Sequence, residues 1–204
     1  MPTLAFGAKP AALRCARCGR FVDWAEAQLQ TVCDCRPHLS LPPVLVRQAE
    51  PEDVPDVLAL FRRDFGRATV IGFGERMAIE DCPMLIAEMR GELAGALAYR
   101  LVPDALHIVA LATDPMWQRS GVATHLEREA AFIAGRHGVA RLLFATTNDN
   151  LPALYFYQRR GWTVTAVVVG GMLEHFGGQP GVGFSGIAVR DEIRLEKGLP
   201  ASTE

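Results

Sequence analysis

The sequence predicts an α/β domain with a mixed, mostly antiparallel sheet and helices on both faces, together with a small N-terminal zinc-binding element. Strand-length apolar segments and helically spaced apolar residues follow one another from residue 44 to residue 197. Three consecutive strand patterns precede the clearest amphipathic helix, and four of the five cysteines lie near the N-terminus. We therefore expect a cysteine-rich element with its linker at 1–40, a main domain at 44–197 and a tail at 198–204.

Composition limits the function classes. The 204 residues carry a net charge of −2, so no global positive field favours nucleic acid or an anionic membrane. The longest apolar runs have the length of strands and are too short to span a bilayer. The N-terminus lacks a basic region followed by a long apolar stretch, which a secretory signal requires. The sequence therefore predicts a cytoplasmic protein without a membrane partner.

The N-terminal cysteines form two pairs. Cys15 and Cys18 are separated by two residues, and Cys33 and Cys35 by one. In a reducing compartment this pattern favours a tetrahedral Zn²⁺ site over disulfides, and four thiolates leave no open position for catalysis. The second spacing is less regular, so His38 is an alternative ligand in place of Cys33 or Cys35. The alternative interpretation of the whole cluster is incidental or redox-labile cysteines.

Periodicity and turn residues predict the elements of the main domain. Residues 67–81 have no clear pattern because Gly72 and Gly74 interrupt them, although Glu75 to Ile79 fits a helical turn. A glycine-rich loop is expected at 170–186. The predicted strands are 44–48, 84–89, 92–101, 105–113, 139–146, 162–169 and 187–195, and the predicted helices are 51–65, 122–137 and 152–160.

The second of these helices follows a short turn. Its apolar stripe consists of Val122, Leu126, Ala130, Ile133 and Ala134. Glu127, Arg128 and Arg136 are expected to face away from the sheet. Gly138 is expected to end the helix.

The turn itself, residues 118–123, predicts an anion site. The N-terminus of a helix has unpaired amides and a partial positive charge, which a phosphate satisfies together. Gly121 lets the backbone approach a ligand, Ser120 and Ala123 are small, and Arg119 adds positive charge. We expect this turn to bind the pyrophosphate of a nucleotide-bearing cofactor. The alternative is an ordinary helix cap.

Two segments carry a family resemblance. The first is Leu111-Ala-Thr-Asp-Pro-Met-Trp-Gln-Arg-Ser-Gly-Val-Ala, and the second is Asn150-Leu-Pro-Ala-Leu-Tyr-Phe-Tyr-Gln-Arg-Arg-Gly-Trp. Together they resemble, in order and spacing, the signatures of the GNAT superfamily of acyl-CoA-dependent N-acetyltransferases. The resemblance covers roughly residues 44–197 and includes the order of elements. Ala123 stands where many members have glycine.

The resemblance implies that acetyl-CoA lies where the strands of Leu111 and Phe144 splay apart. Backbone groups of the first strand would bond the pantetheine arm, and the amides of the turn would hold the pyrophosphate. The cofactor-binding residues implied in this way are Leu111, Ala112, Thr113, Arg119, Ser120, Gly121, Val122, Ala123, Thr124, Asn150 and Tyr157.

The resemblance also implies that Tyr157 gives a proton to the departing thiolate, while the alternative is a tyrosine that only packs its helix. The base is open. Some members use a glutamate where this chain has Ala145, and two other candidates are His107 and Glu88. A histidine ordinarily titrates near neutrality, so His107 is expected to be able to accept a proton, and Glu88 is a charge within an apolar run. An amine of low pKa needs no strong base.

The acceptor is expected to be an amine on a small molecule or a protein, and a homodimer is possible. Glu174 and His175, in the glycine-rich loop, lie where members of the family often recognise their acceptor. A second hypothesis is a catalytically degenerate domain whose zinc element docks a protein or nucleic acid. Its support is a set of arginines around the cysteines, namely Arg14, Arg17, Arg20 and Arg36.

Overall fold

The structure, a computed structural model, describes residues 42–200. The predicted zinc ligands Cys15, Cys18, Cys33 and Cys35, and the alternative ligand His38, lie outside the described residues. The chain divides into two units between Pro42 and Pro43, and the second of them holds every element described below.

The main domain follows the predicted order of strands and helices. The strands are β1 (Leu45–Gln48), β2 (Thr69–Gly72), β3 (Glu75–Ala78), β4 (Met84–Met89), β5 (Glu92–Val102), β6 (Ala105–Thr113), β7 (Arg141–Thr147), β8 (Thr163–Val168), β9 (Gly181–Val182), β10 (Ala188–Val189) and β11 (Glu192–Gly198). The helices are α1 (Val54–Phe65), α2 (Val122–Arg136) and α3 (Leu151–Gln158).

One large sheet has the strand order β1-β4-β5-β6-β7-β11-β8. Its neighbours are antiparallel except for β6 and β7, which are parallel. A parallel pair needs a crossover connection, and α2 supplies it between β6 and β7. The predicted mixed, mostly antiparallel sheet is therefore confirmed.

Helices cover both faces of the sheet, as predicted. On one face, α2 and α3 pack on a core that includes Leu97, Leu126 and Trp162. On the other face, α1 buries Val57 and Phe61 against Ile86 and its neighbours. Burying each of these large apolar side chains contributes about 1.5–3 kcal/mol to the free energy of transfer from water. Within residues 42–200, no helix is long and apolar enough to cross a membrane.

The predicted helical turn at Glu75 to Ile79 is wrong. Residues 69–78 instead form a two-stranded hairpin of β2 and β3, and a short 3₁₀ helix follows at Ile79–Asp81. Phe73 and Gly74 connect the two strands with φ angles of 55° and 76°. Two positive φ angles are typical of a tight hairpin turn that matches strand twist. The glycines therefore mark a turn between two strands.

Two further predictions are corrected. The last strand of the large sheet begins at Glu192 instead of residue 187, because Ala188 and Val189 pair with β9 in a separate two-stranded sheet. Glu127 does not face solvent. Glu127 is only 3% exposed, whereas Arg128 and Arg136 are exposed as predicted.

Candidate active site

The parallel strands β6 and β7 separate partway along their length. Their register pairs are Leu106 with Leu142, His107 with Leu143 and Ile108 with Phe144, and the pairing ends there. Past this point β6 continues through Leu111, Ala112 and Thr113, which pair only with β5 on the other side. Backbone groups of β6 that point toward β7 are therefore available to a ligand at the open end of the two strands.

The turn after β6 exposes backbone amides in a compact loop. Arg119 and Gly121 both have left-handed backbone conformations, with φ angles of 65° and 98°. Within the described residues, the N–H groups of these two residues donate to no acceptor. Val122 and Ala123 begin α2, and the first amides of a helix have no acceptor inside it. This arrangement of free amides makes an anion-binding concavity.

Local side chains fix the shape of this turn. The Asp114 carboxylate accepts hydrogen bonds from the Met116 amide and from Arg63, both at 2.9 Å. These bonds hold the pKa of Asp114 below its usual value, with the Arg63 bond contributing most. The Ser120 hydroxyl donates to the Trp117 carbonyl, so its side chain folds back and leaves the amides accessible. Thr124 lies in the first turn of α2, and its hydroxyl bonds the Arg160 guanidinium.

Gly95 is a positioning residue that the sequence alone did not indicate. A Cβ atom at Gly95 would lie 2.6 Å from Cγ1 of Val122 and 2.8 Å from the carbonyl oxygen of Ala112. Both distances are shorter than a Cβ tolerates, so only glycine allows the first turn of α2 to rest on β5. The amides of the turn are thereby held beside the open end of β6.

Asn150 begins α3 at the end of β7. Its side-chain oxygen accepts a hydrogen bond from the Ala153 amide at 3.2 Å, which is an N-cap contact. Its side-chain NH₂ donates to no group in the described part of the chain and stays available to a ligand. The motif asparagine therefore has a structural contact on one side and a free donor on the other.

Tyr157 lies on α3, and its ring is buried against the sheet. Its ring centroid lies 4.1 Å from that of Phe144, the residue at which β6 and β7 separate, and 4.9 Å from that of Trp162. The hydroxyl has no hydrogen-bond partner among residues 42–200. Burial raises the pKa of Tyr157 well above its usual value, and the nearby Glu127 carboxylate raises it further. The phenol is therefore protonated at neutral pH and can donate.

His107 lies on the opposite face, one residue before the separation of the strands. It is 4% exposed, and the edge of its ring meets Phe73 at 4.7 Å between centroids. Burial lowers the pKa of His107 to about 4, and the positive charge of Arg100 adds to this effect. The imidazole is therefore neutral at physiological pH.

Glu88 lies on β4, on the far side of β5 from β6. Its carboxylate forms an ion pair with Arg47 at 2.8 Å, and Arg47 also binds Asp53. The structure therefore does not place Glu88 at the separation of β6 and β7, near which His107 and Tyr157 lie on opposite faces of the sheet.

The β2–β3 hairpin packs over the face that carries His107. The Arg194 guanidinium stacks 5.1 Å from the Phe73 ring centroid. The buried Glu192 carboxylate accepts a hydrogen bond from Arg194 at 2.5 Å and one from the Gly74 amide at 3.4 Å. Sequence analysis missed these contacts, and the Gly72-Phe73-Gly74 turn was the available signal for the hairpin.

The glycine-rich loop is tied to the residues that precede α3. The Asn148 side chain accepts from the Arg190 and Asp191 amides and donates to the Ala188 carbonyl, each at 2.9 Å. Asp149 accepts a hydrogen bond from the Phe184 amide at 2.8 Å. Residues 181–191 are therefore anchored directly beside the Asn150 motif.

Metal ligands are not grouped in this part of the molecule. Among the described residues, no cluster of three or more His, Cys, Asp or Glu side chains has the arrangement of a metal site.

Comparisons with known proteins identify the family and the fold. The Acetyltransferase (GNAT) family matches residues 52–162. The uncharacterized protein YdhI of Bacillus subtilis is 32% identical over 110 residues, which are 52% of this chain and 68% of that protein.

Solved structures share the fold at low sequence identity. The IAA acetyltransferase of Bacillus cereus superposes with a TM-score of 0.60 at 22% identity. The superposition covers 77% of this chain and 100% of that chain. A Bacillus subtilis acetyltransferase in complex with CoA has a TM-score of 0.61 at 22% identity, covering 78% of this chain and 100% of the other. With the family match extending over more than half of its length, this chain belongs to the GNAT family of acetyltransferases.

Proposed function

We propose that this protein transfers an acetyl group from acetyl-CoA to an amine. The observation that carries the proposal is the adjacency of two features, the separation of β6 and β7 after Ile108 and the free amides at Arg119 and Gly121. An extended thiol arm fits an open strand edge, and a pyrophosphate fits free amides at a helix N-terminus.

The residues present fit acetyl-CoA. Leu111 and Thr113 would bond the pantetheine arm, and the free NH₂ of Asn150 would donate to it. The amides of Arg119, Gly121, Val122 and Ala123 would hold the pyrophosphate, whereas the amides of Ser120 and Thr124 already donate to the carbonyls of Trp117 and Gly121. The bound cofactor supplies an activated thioester. It requires a donor for the departing sulfur, and the unpartnered hydroxyl of Tyr157 satisfies that requirement.

Tyr157 is the proposed proton donor. The acceptor nitrogen forms a bond with the acetyl carbon, the bond from that carbon to sulfur breaks, and the phenolic proton of Tyr157 moves to the sulfur. The proton lost by the amine goes to solvent, and Tyr157 is protonated again from solvent. The high pKa of the phenol ensures that the donor carries its proton at the start of each cycle.

His107 is the proposed contact for the acceptor amine. Its neutral ring nitrogen accepts a hydrogen bond from an N–H group, and its edge contact with Phe73 fixes the ring plane. A pKa of about 4 makes it a weak base, so we assign it orientation of the amine rather than full proton removal. Glu88 stays in its ion pair with Arg47 and has no role in this scheme.

The transfer proposal is tested by release of free CoA. The full chain is incubated with acetyl-CoA and single amines from several classes, namely polyamines, aminoglycosides, amino acids, peptide N-termini and lysine side chains. We expect one class to release CoA above the rate of acetyl-CoA hydrolysis, with an acetylated product visible by mass spectrometry. Binding of acetyl-CoA without transfer to any class would instead support a degenerate binding domain.

We also propose that Cys15, Cys18, Cys33 and Cys35 hold a structural Zn²⁺. The support is the pairing of the cysteines, because four thiolates make a closed tetrahedral site. Elemental analysis of the purified chain should give about one zinc per chain. Cys18→Ser should remove it, whereas Cys82→Ser should not. His38→Ala reduces the zinc content only if His38 replaces a cysteine.

A further inference from the structure

Arg194 lies at the level where β6 and β7 separate. On β11 it pairs with Ala145 of β7, the residue directly after Phe144, where the pairing of β6 with β7 ends. Successive residues of a strand point to opposite faces of the sheet. Phe144 packs against Tyr157 on the face that α2 covers. The side chains of Ala145 and Arg194 therefore point to the face of the β2–β3 hairpin, which is also the face of His107.

The Arg194 guanidinium is held through one of its three nitrogen atoms. Its Nε donates to the Glu192 carboxylate at 2.5 Å, and its central carbon lies 5.1 Å from the centroid of the Phe73 ring. The side chain of Glu192 is only 2% exposed, whereas that of Arg194 is 32% exposed. Within residues 42–200, the two Nη atoms, which carry most of the N–H donors of an arginine, form no hydrogen bond or ion pair. The forked end of the guanidinium is therefore oriented and available.

The hairpin turn joins Arg194 and His107 in one surface. The Phe73 ring, on which Arg194 stacks, also meets the edge of the His107 ring at 4.7 Å between centroids. A Cβ atom at Gly72 would lie 3.2 Å from Cβ of Ala145 and 3.8 Å from Nε2 of His107. β7 lies between the strands of the two residues and contributes the small side chain of Ala145 there. A small molecule can therefore contact both residues beside the separation of β6 and β7.

The carboxylate of this surface is closed to a cationic substrate. Glu192 already accepts hydrogen bonds from Arg194 and, at 3.4 Å, from the Gly74 amide. Its burial beneath the hairpin leaves no approach for a substrate ammonium group. Of the Glu192–Arg194 pair, only the cation has donors left for a ligand, so the pair selects an anionic group.

The charges beside His107 act in the same direction. Arg100 pairs with His107 across β5 and β6, and it forms an ion pair with Glu75 of the hairpin at 2.9 Å. Arg100 lowers the pKa of His107 more strongly than Glu75 raises it. A net positive field disfavours a second cation and holds a nearby amine in its neutral, nucleophilic form.

We propose that the forked end of Arg194 binds a carboxylate of the acceptor, so that the substrate is an amino acid whose amine contacts His107. The inference rests on the proposed function, because it takes His107 as the contact for the amine that receives the acetyl group. A planar carboxylate matches the fork of a guanidinium with two parallel hydrogen bonds. Arg194 therefore determines specificity and takes no part in proton transfer. Polyamines and aminoglycosides, which have no carboxylate, are poorer acceptors.

The test compares amino acids with their own carboxamides as acceptors, with release of free CoA as the readout. The panel contains both α-amino acids and ω-amino acids. An amide has nearly the shape of the carboxylate but no charge, and its amine loses a proton more easily, so the chemical step alone favours the amide. We nevertheless expect the wild type to give the best amino acid a kcat/KM about 10-fold to 100-fold above that of its amide, the effect of a hydrogen bond to a charged group.

Arg194→Gln should remove this preference. The kcat/KM for the best amino acid should fall about 10-fold to 100-fold, while that for its amide and the Kd for acetyl-CoA change less than about threefold. Arg194→Lys keeps the charge without the fork and should recover only part of the preference. Arg128→Gln is the matched control, because it removes the same charge from an exposed position of α2 on the other face of the sheet and should leave the preference unchanged.

Equal kcat/KM values for amino acids and their amides in the wild type would overturn the inference, and this comparison needs no variant. An equal fall for both acceptors in Arg194→Gln would also overturn it, since Arg194 would then only support the hairpin. If the wild type acetylates no amine of any class, the proposed function fails. If it acetylates amines without a carboxylate as well as amino acids, the proposed function stands and only the present inference fails.

Discussion

The turn at residues 118–124 and the β2–β3 hairpin (residues 69–78) flank the separation of β6 and β7, and they are built differently. The turn presents backbone amides, shaped by left-handed Arg119 and Gly121. The hairpin presents side chains. It is held in place by the ring contact between Phe73 and His107 and by the hydrogen bond from the Gly74 amide to the Glu192 carboxylate. A backbone site depends on a few small residues at fixed spacing. A side-chain site depends on contacts between distant segments.

This difference explains what the sequence could predict. The motif from Gln118 to Ala123 specifies a local conformation, so the turn and the helix after it were predictable from periodicity and glycine placement. The hairpin was not, because Gly72 and Gly74 interrupt its short apolar runs and so obscure the two-strand pattern. Its partner Arg194 comes from a strand more than 100 residues later, and no local pattern reports such a contact.

Glu127 shows the same limit within a well predicted helix. Its charge and its position beside the apolar stripe both indicated a solvent-facing residue. The structure buries it because Arg160, Trp162 and Lys197 come from later segments and satisfy its carboxylate. Periodicity predicts which face of the helix meets the sheet, but it does not predict which other face is covered by residues from later segments of the chain.

The largest expected effect is a loss of folding stability in acid, caused by His107 beneath the β2–β3 hairpin. Burial disfavours the charged imidazolium of His107, so its folded pKa of about 4 lies below the usual value of 6.5. The unfolded chain therefore binds a proton first as pH falls, and the folded state loses stability between about pH 6.5 and pH 4. The loss from this residue should reach about 3 kcal/mol.

Chemical denaturation across this pH range checks that prediction. The difference in the free energy of unfolding between the wild type and His107→Gln separates the contribution of His107 from that of the carboxylates. The wild type should lose more stability than the variant on acidification. Parallel pH curves for the two proteins would mean that His107 is not buried as a neutral ring.

Tyr157→Phe tests the proposed proton donor, which lies near the separation of β6 and β7, between the turn and the hairpin. The substitution keeps the ring against Phe144 and removes only the proton donor, so kcat should fall about 100-fold while the Kd for acetyl-CoA stays within about twofold. Steady-state kinetics and titration measure the two quantities. Tyr155→Phe, an exposed neighbour on the same helix, should change kcat less than about twofold. An unaffected kcat in Tyr157→Phe would remove the phenol from the mechanism.

Gly95→Ala tests the turn side alone. The added Cβ would press on Val122 and on the Ala112 carbonyl, which displaces the first turn of α2 and its free amides. We expect the Kd for acetyl-CoA to rise about 10-fold and the KM for the amine to change less than about twofold. Gly198→Ala is the matched control, because nothing lies within 4 Å of its added Cβ. Equal increases in both constants would contradict the separation of the two sides.

Asn148→Ala should have the smallest effect, on the acceptor side. The change removes three hydrogen bonds that anchor residues 188–191. The loop before them should become more accessible to limited proteolysis, and the KM for the amine should rise about threefold with the Kd for acetyl-CoA unchanged. A change in the Kd for acetyl-CoA alone would assign this anchor to the turn side instead.

Hydrogen exchange of the full chain, with and without saturating acetyl-CoA, tests the central claim most directly. The account predicts that exchange slows at the amides of residues 119–124 and along 109–113 of β6, while the β2–β3 hairpin changes little. Protection confined to the hairpin, or no protection at the turn under conditions where acetyl-CoA is bound, would contradict it.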